Sequence, residues 1–206
     1  MEFTELARER RSVRAYKDQP VDRALVDEII RAAQLAPSWK NSQTGRYYVA
    51  LDPAAQAKIR SCLPAYNQKS SANAALIVTA YEKGVSGFNA GEPVNELGNE
   101  WGAYDLGLQN MLLCLRAREL GLDTLIMGIR DGDAIRAAAH IPETEAVFAV
   151  IALGYRDQEP TARLTLSWAS PATASISITL RPIMSKTLTW ASFSRLNETC
   201  SRAGLG

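Results

Sequence analysis

The chain of 206 residues carries 23 Lys and Arg against 22 Asp and Glu, a net charge of +1, and 47% of its residues are hydrophobic. At roughly 150 residues per domain, this length predicts one domain with an appendage, and the near-zero charge argues against nucleic acid as a partner because phosphate backbones are bound by basic surfaces. The sequence contains no run of about 18 apolar residues, so no membrane span is predicted.

Apolar periodicity predicts alternating helices and strands as far as residue 153. A helix over 23–36 begins at the cap Asp22 and ends before Pro37. The other predicted helices are 4–10, 53–62, 101–120 and 132–140, and the predicted strands are 46–51, 74–81, 123–127 and 146–153. Residues 84–100 are rich in Gly and predict a loop. This order of elements is typical of an α+β fold or of three-layer α/β packing.

The predicted helix 101–120 carries more apolar residues than a single core-facing side requires. Its widest apolar face comprises Tyr104, Leu108, Met111, Leu112 and Leu115. Further apolar residues lie beside that face, so we expect the helix to be buried on several sides, with Trp101 and Tyr104 in the core. Cys114 is expected to be a small buried hydrophobe.

The cysteine content and the N-terminus both indicate a reducing compartment. Cys62, Cys114 and Cys200 form no CxxC motif, and an odd number of cysteines cannot all pair. The first residues lack the apolar segment of a secretory signal. We therefore expect a cytoplasmic protein.

The single histidine, His140, argues against catalytic arrangements that need an imidazole and against zinc sites with several His ligands. It lies at the end of a predicted helix, where a capping role is expected. Neither a GxxxxGK[ST] nor a GxGxxG motif is present. If the protein is an enzyme, we expect a cofactor to carry the chemistry, without a metal site.

Two polar segments in the first part of the chain are suited to ligand binding. In the first, Arg10, Arg11 and Arg14 surround Ser12, a combination that binds a phosphate monoester or else forms a solvated basic face. The second, APSWKNSQ at 36–43, offers amides and hydroxyls around one Trp. Such a loop binds the edge and face of a heterocycle, or is an ordinary polar turn.

Together, these segments resemble the nitroreductase family of FMN-dependent oxidoreductases. RRSVR is similar to that family's opening phosphate-binding segment, and LAPSWKNSQ to its APSxxNxQ loop. Asn67 matches an Asn that faces the flavin pyrimidine, while 101–128 and 140–160 are similar to the family's long central helix and closing strand. The resemblance covers residues 3–163. It implies an α+β, three-layer α/β/α fold with a central, mostly antiparallel sheet and a long buried helix.

The resemblance also implies a role for each matching residue. The residues that would bind the FMN phosphate and ribityl chain are Arg10, Arg11, Ser12, Arg14 and Arg163. Those that would reach the flavin of the partner subunit in a homodimer are Pro37, Ser38, Trp39, Asn41 and Gln43. Asn67 would hydrogen-bond the pyrimidine edge, while Met127 and Gly128 would place a backbone N–H near flavin N5. Phe88 would line a substrate channel.

The implied activity is transfer of a hydride from NADH or NADPH, through tightly bound FMN, to a planar acceptor in a ping-pong cycle. Nitroaromatics, quinones and enones are the expected acceptors because they are flat enough to stack on the flavin. The resemblance also implies an obligate homodimer with FMN sites at the subunit interface and helix 101–120 at or near it. The alternative is an FMN-binding sensor or storage protein without efficient turnover.

The composition changes after Arg163. Residues 164–206 contain 14 Ser and Thr, against 13 in the preceding 163 residues, and a single acidic residue, Glu198. Their apolar residues show no sustained period. We therefore divide the chain into an FMN-binding domain, 1–163, and a Ser/Thr-rich extension, 164–206. The extension is either a divergent native arm or the product of a shifted reading frame.

Overall fold

A computed structural model describes residues 1–159, and Arg163 and the extension 164–206 lie outside the described residues. The helices in the described part are α1 (Phe3–Glu9), α2 (Arg23–Ala33), α3 (Pro53–Ser61), α4 (Ala65–Ser70), α5 (Glu100–Glu119) and α6 (Gly132–Ala139). The strands are β1 (Gly45–Ala50), β2 (Ala75–Glu82), β3 (Phe88–Asn89), β4 (Glu92–Pro93), β5 (Asp123–Met127) and β6 (Glu145–Gly154). No helix within residues 1–159 has both the length and the apolarity that a membrane crossing requires.

A four-stranded antiparallel sheet in the order β1-β2-β6-β5 forms the middle layer. Successive residues of a strand point to opposite faces, so the apolar run of β2 serves two cores. Ile77 packs with α2 and α5, whereas Leu76 and Val78 pack with residues of α3 and α6. Helices therefore cover both faces, which confirms the predicted three-layer α+β fold.

Local signals place most helix boundaries. Asp22 and Asp52 accept hydrogen bonds from the backbone amides of Ala24 and Ala55, so each carboxylate caps the helix that follows it. The end of α2 differs from the prediction, since its last residue is Ala33. The sequence analysis also missed α4, whose six residues are too few for a period to show, and the short β3–β4 hairpin within the predicted loop.

The buried side of α5 differs from the apolar face predicted for it. Tyr104 is 61% exposed and Met111 is 43% exposed, whereas Leu115 of the same predicted face is buried, so the predicted core position of Tyr104 is wrong and the face is buried only in part. The buried side includes Asp105, Gln109 and Asn110 beside apolar residues such as Leu113. Asp105 and Gln109 are tolerated because they accept hydrogen bonds, whereas Oδ1 of Asn110 is buried with no partner in residues 1–159. Cys114 is buried, as predicted.

Candidate functional site

The segment 10–14 runs in extended form beside the beginning of β5. Ser12 forms a parallel bridge with Thr124, and the Val13 amide donates to the Thr124 carbonyl at 3.0 Å. Val13 is fully buried, whereas Ser12 and Arg14 on either side of it are exposed. Alternation along the segment therefore turns the Ser and Arg side chains to the surface and anchors the segment through Val13.

A buried carboxylate holds the beginning of β5 in place. The side chain of Asp123 is 1% exposed and pairs with Arg156 at 2.7 Å and with Arg118 at 2.8 Å. Hydrogen bonding to Asp123 raises the pKa of the Arg156 guanidinium, so Arg156 remains charged over the working pH range. Arg156 and Arg118 also approach Glu9, next to the first Arg of the segment. The cluster thus fixes the strand against which 10–14 lies.

The opposite end of β5 lies beside α4. Asn67, which is buried, donates from Nδ2 to the carbonyl of Ile129 at 2.9 Å. Met127 is buried in the core, whereas Gly128 is exposed, and a Cβ placed on it would meet no atom within 4 Å. The backbone at Gly128 is therefore open to a bound molecule, with the Asn67 amide held alongside.

Sequence reasoning missed Arg130, two residues after Gly128. Its guanidinium donates to the carbonyl of Gly128 at 3.5 Å and to the carbonyl of Val147, and its Nε is buried without a partner among residues 1–159. A cation held at this strand end adds positive potential to the open backbone. Its position two residues after the Met-Gly pair was the available signal.

The loop 37–43 is tightly folded and polar. Ser38 precedes a 3-10 turn over Trp39–Asn41, and its Oγ accepts from the amide of Gln43 at 3.0 Å. Gln43 in turn donates to the Asn41 side chain at 3.1 Å. Asn41 and Gln43 have φ of 56° and 51°, a region that side-chain-bearing residues rarely adopt. Such strain is typical of functional loops that the surrounding structure holds in place.

Trp39 connects this loop to α5. The centroids of the Trp39 and Trp101 rings lie 4.9 Å apart, and Trp101 meets Tyr104 edge-on at 5.9 Å. The Trp39 amide donates to the carboxylate of Asp105 at 2.9 Å. The indole Nε1 of Trp39 is buried without a hydrogen-bond partner in residues 1–159, which is unusual because buried donors are nearly always paired.

The structure brings some of the predicted site residues together and keeps others apart. Segment 10–14 and Asn67 lie at the two ends of β5. The strand runs about 13 Å from Thr124, beside the segment, to Gly128, near Asn67, at about 3.3 Å per residue. In the described part of the chain, no hydrogen bond or ion pair joins the loop 37–43 to either of them. Pro37 is exposed at the beginning of that loop.

A cavity of about 400 Å³ adjoins the loop 37–43 instead. Gln43, Gly45 and Gln109 are among its lining residues. A Cβ on Gly45 would lie 1.8 Å from Oε1 of Gln109, so a larger residue at this position would displace the Gln109 side chain from the cavity wall. Phe88, half-buried on β3, belongs to the segment 84–99 that lies against α5.

The remaining predictions concern His140 and metals. His140 caps α6 in the left-handed conformation with φ of 54°, so the predicted position at a helix end is confirmed. Residues 1–159 contain no group of three or more His, Cys, Asp and Glu side chains arranged to hold a metal ion.

Comparison with known proteins identifies relatives over most of the chain. The model of the nitroreductase family matches residues 7–155. An NADH dehydrogenase of Thermus thermophilus is 31% identical over 190 residues, which cover 78% of this chain and 90% of the relative. A 4-nitrobenzoate reductase of Pseudomonas putida is 26% identical over 199 residues, which cover 78% of this chain and 88% of that relative. The solved structure of an FMN-dependent nitroreductase from Clostridium difficile R20291 superposes with a TM-score of 0.64 at 27% identity, covering 79% of this chain and 92% of that one.

Proposed function

Since the chain belongs to the nitroreductase family, we propose that it is an FMN-dependent oxidoreductase that takes a hydride from NADH or NADPH and passes it to a planar acceptor in a ping-pong cycle. Nitroaromatics, quinones and enones are the proposed acceptors. The observation that carries the proposal is the arrangement along β5, where a basic segment lies at one end and an open glycine backbone with a buried amide at the other.

The residues present fit FMN, an elongated molecule with a phosphate at one end and a ring at the other. Arg10, Arg11 and Arg14 around Ser12 supply the charged donors that a phosphate monoester requires. The distance of about 13 Å along β5 separates them from Gly128, in front of which there is open space. The indole N–H of Trp39, which has no acceptor in the described part of the chain, is a further donor. The donor set therefore matches both ends of the cofactor.

Each of these groups then has a defined task. Arg10, Ser12 and Arg14, with Arg11 nearby, hold the phosphate and ribityl chain. Asn67, fixed by its bond to Ile129, presents its carboxamide to the pyrimidine edge. When bound, FMN would supply hydride chemistry at its N5 atom. Burial of Met127 anchors the strand end, so the backbone N–H at Gly128 is a fixed donor that needs no reorganisation during the reaction.

A homodimer would bring the loop 37–43 to the partner's cofactor. Within one chain this loop packs on α5 and is not bonded to segment 10–14, which is the arrangement expected if Ser38, Trp39, Asn41 and Gln43 serve the other subunit. The exposed Tyr104 and Met111 on α5 supply apolar surface beside the loop. Exposed apolar patches of this kind are typical of protein interfaces. We include FMN sites at the dimer interface in the proposal.

Flavin content and its reduction test the proposal directly. The purified protein is expected to absorb at about 450 nm, as bound FMN does. This absorbance should be lost when NADH or NADPH is added in the absence of oxygen. Addition of a nitroaromatic or a quinone should then restore the absorbance. A colourless protein that takes up no FMN on incubation would contradict the proposal.

A sensor or storage protein is the alternative function. The unusual composition of 164–206 is the feature that favours it, because the family-like sequence ends at Arg163. Stopped-flow reduction separates the two functions, since a sensor would bind FMN but would be reduced only slowly by either nicotinamide.

A further inference from the structure

A buried carboxylate on α5 has no counter-charge in the described part of the chain. Asp105 is 2% exposed, and no Lys or Arg nitrogen of residues 1–159 lies within ion-pair distance of it. Its Oδ2 instead accepts from the amide of Trp39 at 2.9 Å and from the hydroxyl of Ser86 at 2.7 Å. Burying a carboxylate costs several kcal/mol unless donors replace water. These two donors come from two separate loops.

Ser86 is the second centre of the same network. Its Oγ lies 2.7 Å from Oγ of Ser42 and 3.2 Å from Oγ1 of Thr44, and Ser86 and Thr44 are both fully buried or nearly so. A hydroxyl has one proton to donate and two lone pairs to accept with. Because Ser86 donates its proton to the carboxylate, Ser42 and Thr44 must both donate to Ser86. We call Asp105, Ser86, Ser42, Thr44 and the Trp39 amide the Asp105 cluster.

The Asp105 cluster joins two loops that the chain itself keeps apart. Trp39, Ser42 and Thr44 belong to the loop 37–43 and its junction with β1, whereas Ser86 belongs to the segment 84–99. The same segment is tied to α5 a second time, because Trp101 donates from Nε1 to the Asn95 side chain at 3.0 Å. α5 is thus the common support of both loops.

Close packing leaves little room for one loop to move without the other. A Cβ on Gly87 would lie 2.5 Å from the Trp101 ring, whose centroid is 4.9 Å from that of Trp39. Displacement of the segment 84–99 would therefore disturb the Trp101 and Trp39 rings as well as the hydrogen bonds of Ser86. Closely packed interiors transmit such strain because they have few voids.

We infer that Asp105 and Ser86 are positioning residues that hold the loop 37–43 in register with the segment 84–99, so that a molecule bound against one loop changes the affinity of the other. The inference rests on the proposed function, in which the first loop contacts flavin, and on the expectation from the sequence that Phe88 of the second lines the substrate channel. Coupling of this kind is reciprocal, so the occupied flavin site would also order the segment 84–99.

Hydrogen exchange, followed by mass spectrometry on the full chain with and without added FMN, tests the coupling. Ser86→Ala removes the acceptor of Ser42 and Thr44 and should raise exchange in peptides covering 38–44 about tenfold, although the altered residue lies in the other loop. Asp105→Ala removes the acceptor of the Trp39 amide and of the Ser86 hydroxyl, and it should raise exchange in peptides of both loops. Asp105→Asn keeps an oxygen that accepts both bonds and should restore most of the protection. Thr79→Val is the matched control, because it removes a buried hydroxyl, bonded to the Ala149 carbonyl at 3.2 Å, outside the cluster.

FMN titration completes the experiment. Ser86→Ala should raise the Kd for FMN about tenfold, and Thr79→Val should leave it unchanged. Unchanged exchange at 38–44 in Ser86→Ala, or an equal rise in Thr79→Val, would overturn the inference whether or not FMN binds. A normal Kd in Ser86→Ala would overturn it as well. Failure of the unaltered protein to bind FMN would contradict the proposed function instead, and the exchange measured without FMN would still decide whether the loops are coupled.

Discussion

Asn67 donates its side-chain amide to the carbonyl of Ile129 at 2.9 Å and thereby ties α4 to the chain directly after β5. The bond fixes a buried amide beside the exposed backbone of Gly128. Asn67 and Ile129 both lie outside the long periodic elements of the sequence. Their contact could therefore not be predicted from the sequence. Much of the proposed cofactor site depends on this contact.

Asn67→Ala is expected to weaken FMN binding about tenfold or more and to lower the free energy of unfolding by about 1–2 kcal/mol, because the Ile129 carbonyl loses its donor. FMN titration and urea unfolding measure the two effects. Gln68→Ala is the control on the same helix. It removes the hydrogen bond that the Gln68 side-chain amide donates to the Leu63 carbonyl at 2.7 Å, and it should leave the Kd for FMN unchanged. Equal loss of FMN affinity in both variants would show that α4 matters only as a scaffold.

Arg14→Ala should weaken FMN binding by about 10–100-fold, as expected for the loss of a charge-assisted hydrogen bond worth about 1.5–3 kcal/mol. Riboflavin lacks the phosphate, so its affinity should be nearly unchanged. Arg23→Ala removes a guanidinium whose side chain is 74% exposed in a surface ion pair with Asp27, and serves as the charge-matched control. Parallel losses for FMN and riboflavin would place Arg14 elsewhere than at the phosphate.

Met111→Glu on the exposed side of α5 should convert a dimer into a monomer and release FMN, because a carboxylate would be buried in the proposed interface. Light scattering with absorbance detection records both changes. Ala137→Glu alters an exposed position of α6 in the other helical layer and should leave the mass and the flavin unchanged. An unaltered protein that is monomeric with FMN bound would contradict the proposed dimer.

Stability is expected to fall as the pH rises from about 10 to 12. Burial, together with a hydrogen bond to Glu145, raises the pKa of Tyr48 to about 12, from the ordinary value of 10.0. Below pH 10 the phenol is neutral in both states; above it, the unfolded chain loses the proton first and is favoured. Burial also raises the pKa of Tyr16 and Tyr47, which adds to the same decline.

Tyr48→Phe isolates the part that belongs to Tyr48. Urea midpoints at pH 9, 10 and 11 should decline less steeply in this variant than in the unaltered protein. An identical slope would mean that the Tyr48 phenol titrates normally in the folded state.

Truncation after Arg163 should preserve FMN binding and dimerisation if the extension arose from a shifted reading frame. The flavin absorbance and the mass of the truncated protein measure this outcome. Loss of either property would identify the extension as a structural arm. A family-like continuation in another frame of the coding DNA would support the shifted-frame hypothesis, and its absence would contradict it.

The sequence by itself determined the elements whose signals are local. β5 was predicted with the bounds Asp123–Met127 that the structure has, because an apolar β-branched run between turn residues is a complete signal. Asp22 predicted the beginning of α2, because its carboxylate accepts a hydrogen bond from the Ala24 amide and caps the helix. The resemblance of RRSVR, APSWKNSQ and three later segments, in the same order as in the nitroreductase family, indicated the family, and the match of the family model to residues 7–155 confirms it.

Only the tertiary structure decided which side of α5 is buried. Polar and apolar residues are mixed around this helix, so no period distinguishes its faces, and burial depends on the hydrogen-bond partners that other elements supply. Asp105 is buried because Trp39 and Ser86 donate to it, while Tyr104 one position earlier is exposed. The bridge of Ser12 with Thr124 and the hydrogen bond of Asn67 to Ile129 likewise required the folded chain, since each joins residues that are far apart in the sequence and carry no local signal of the contact.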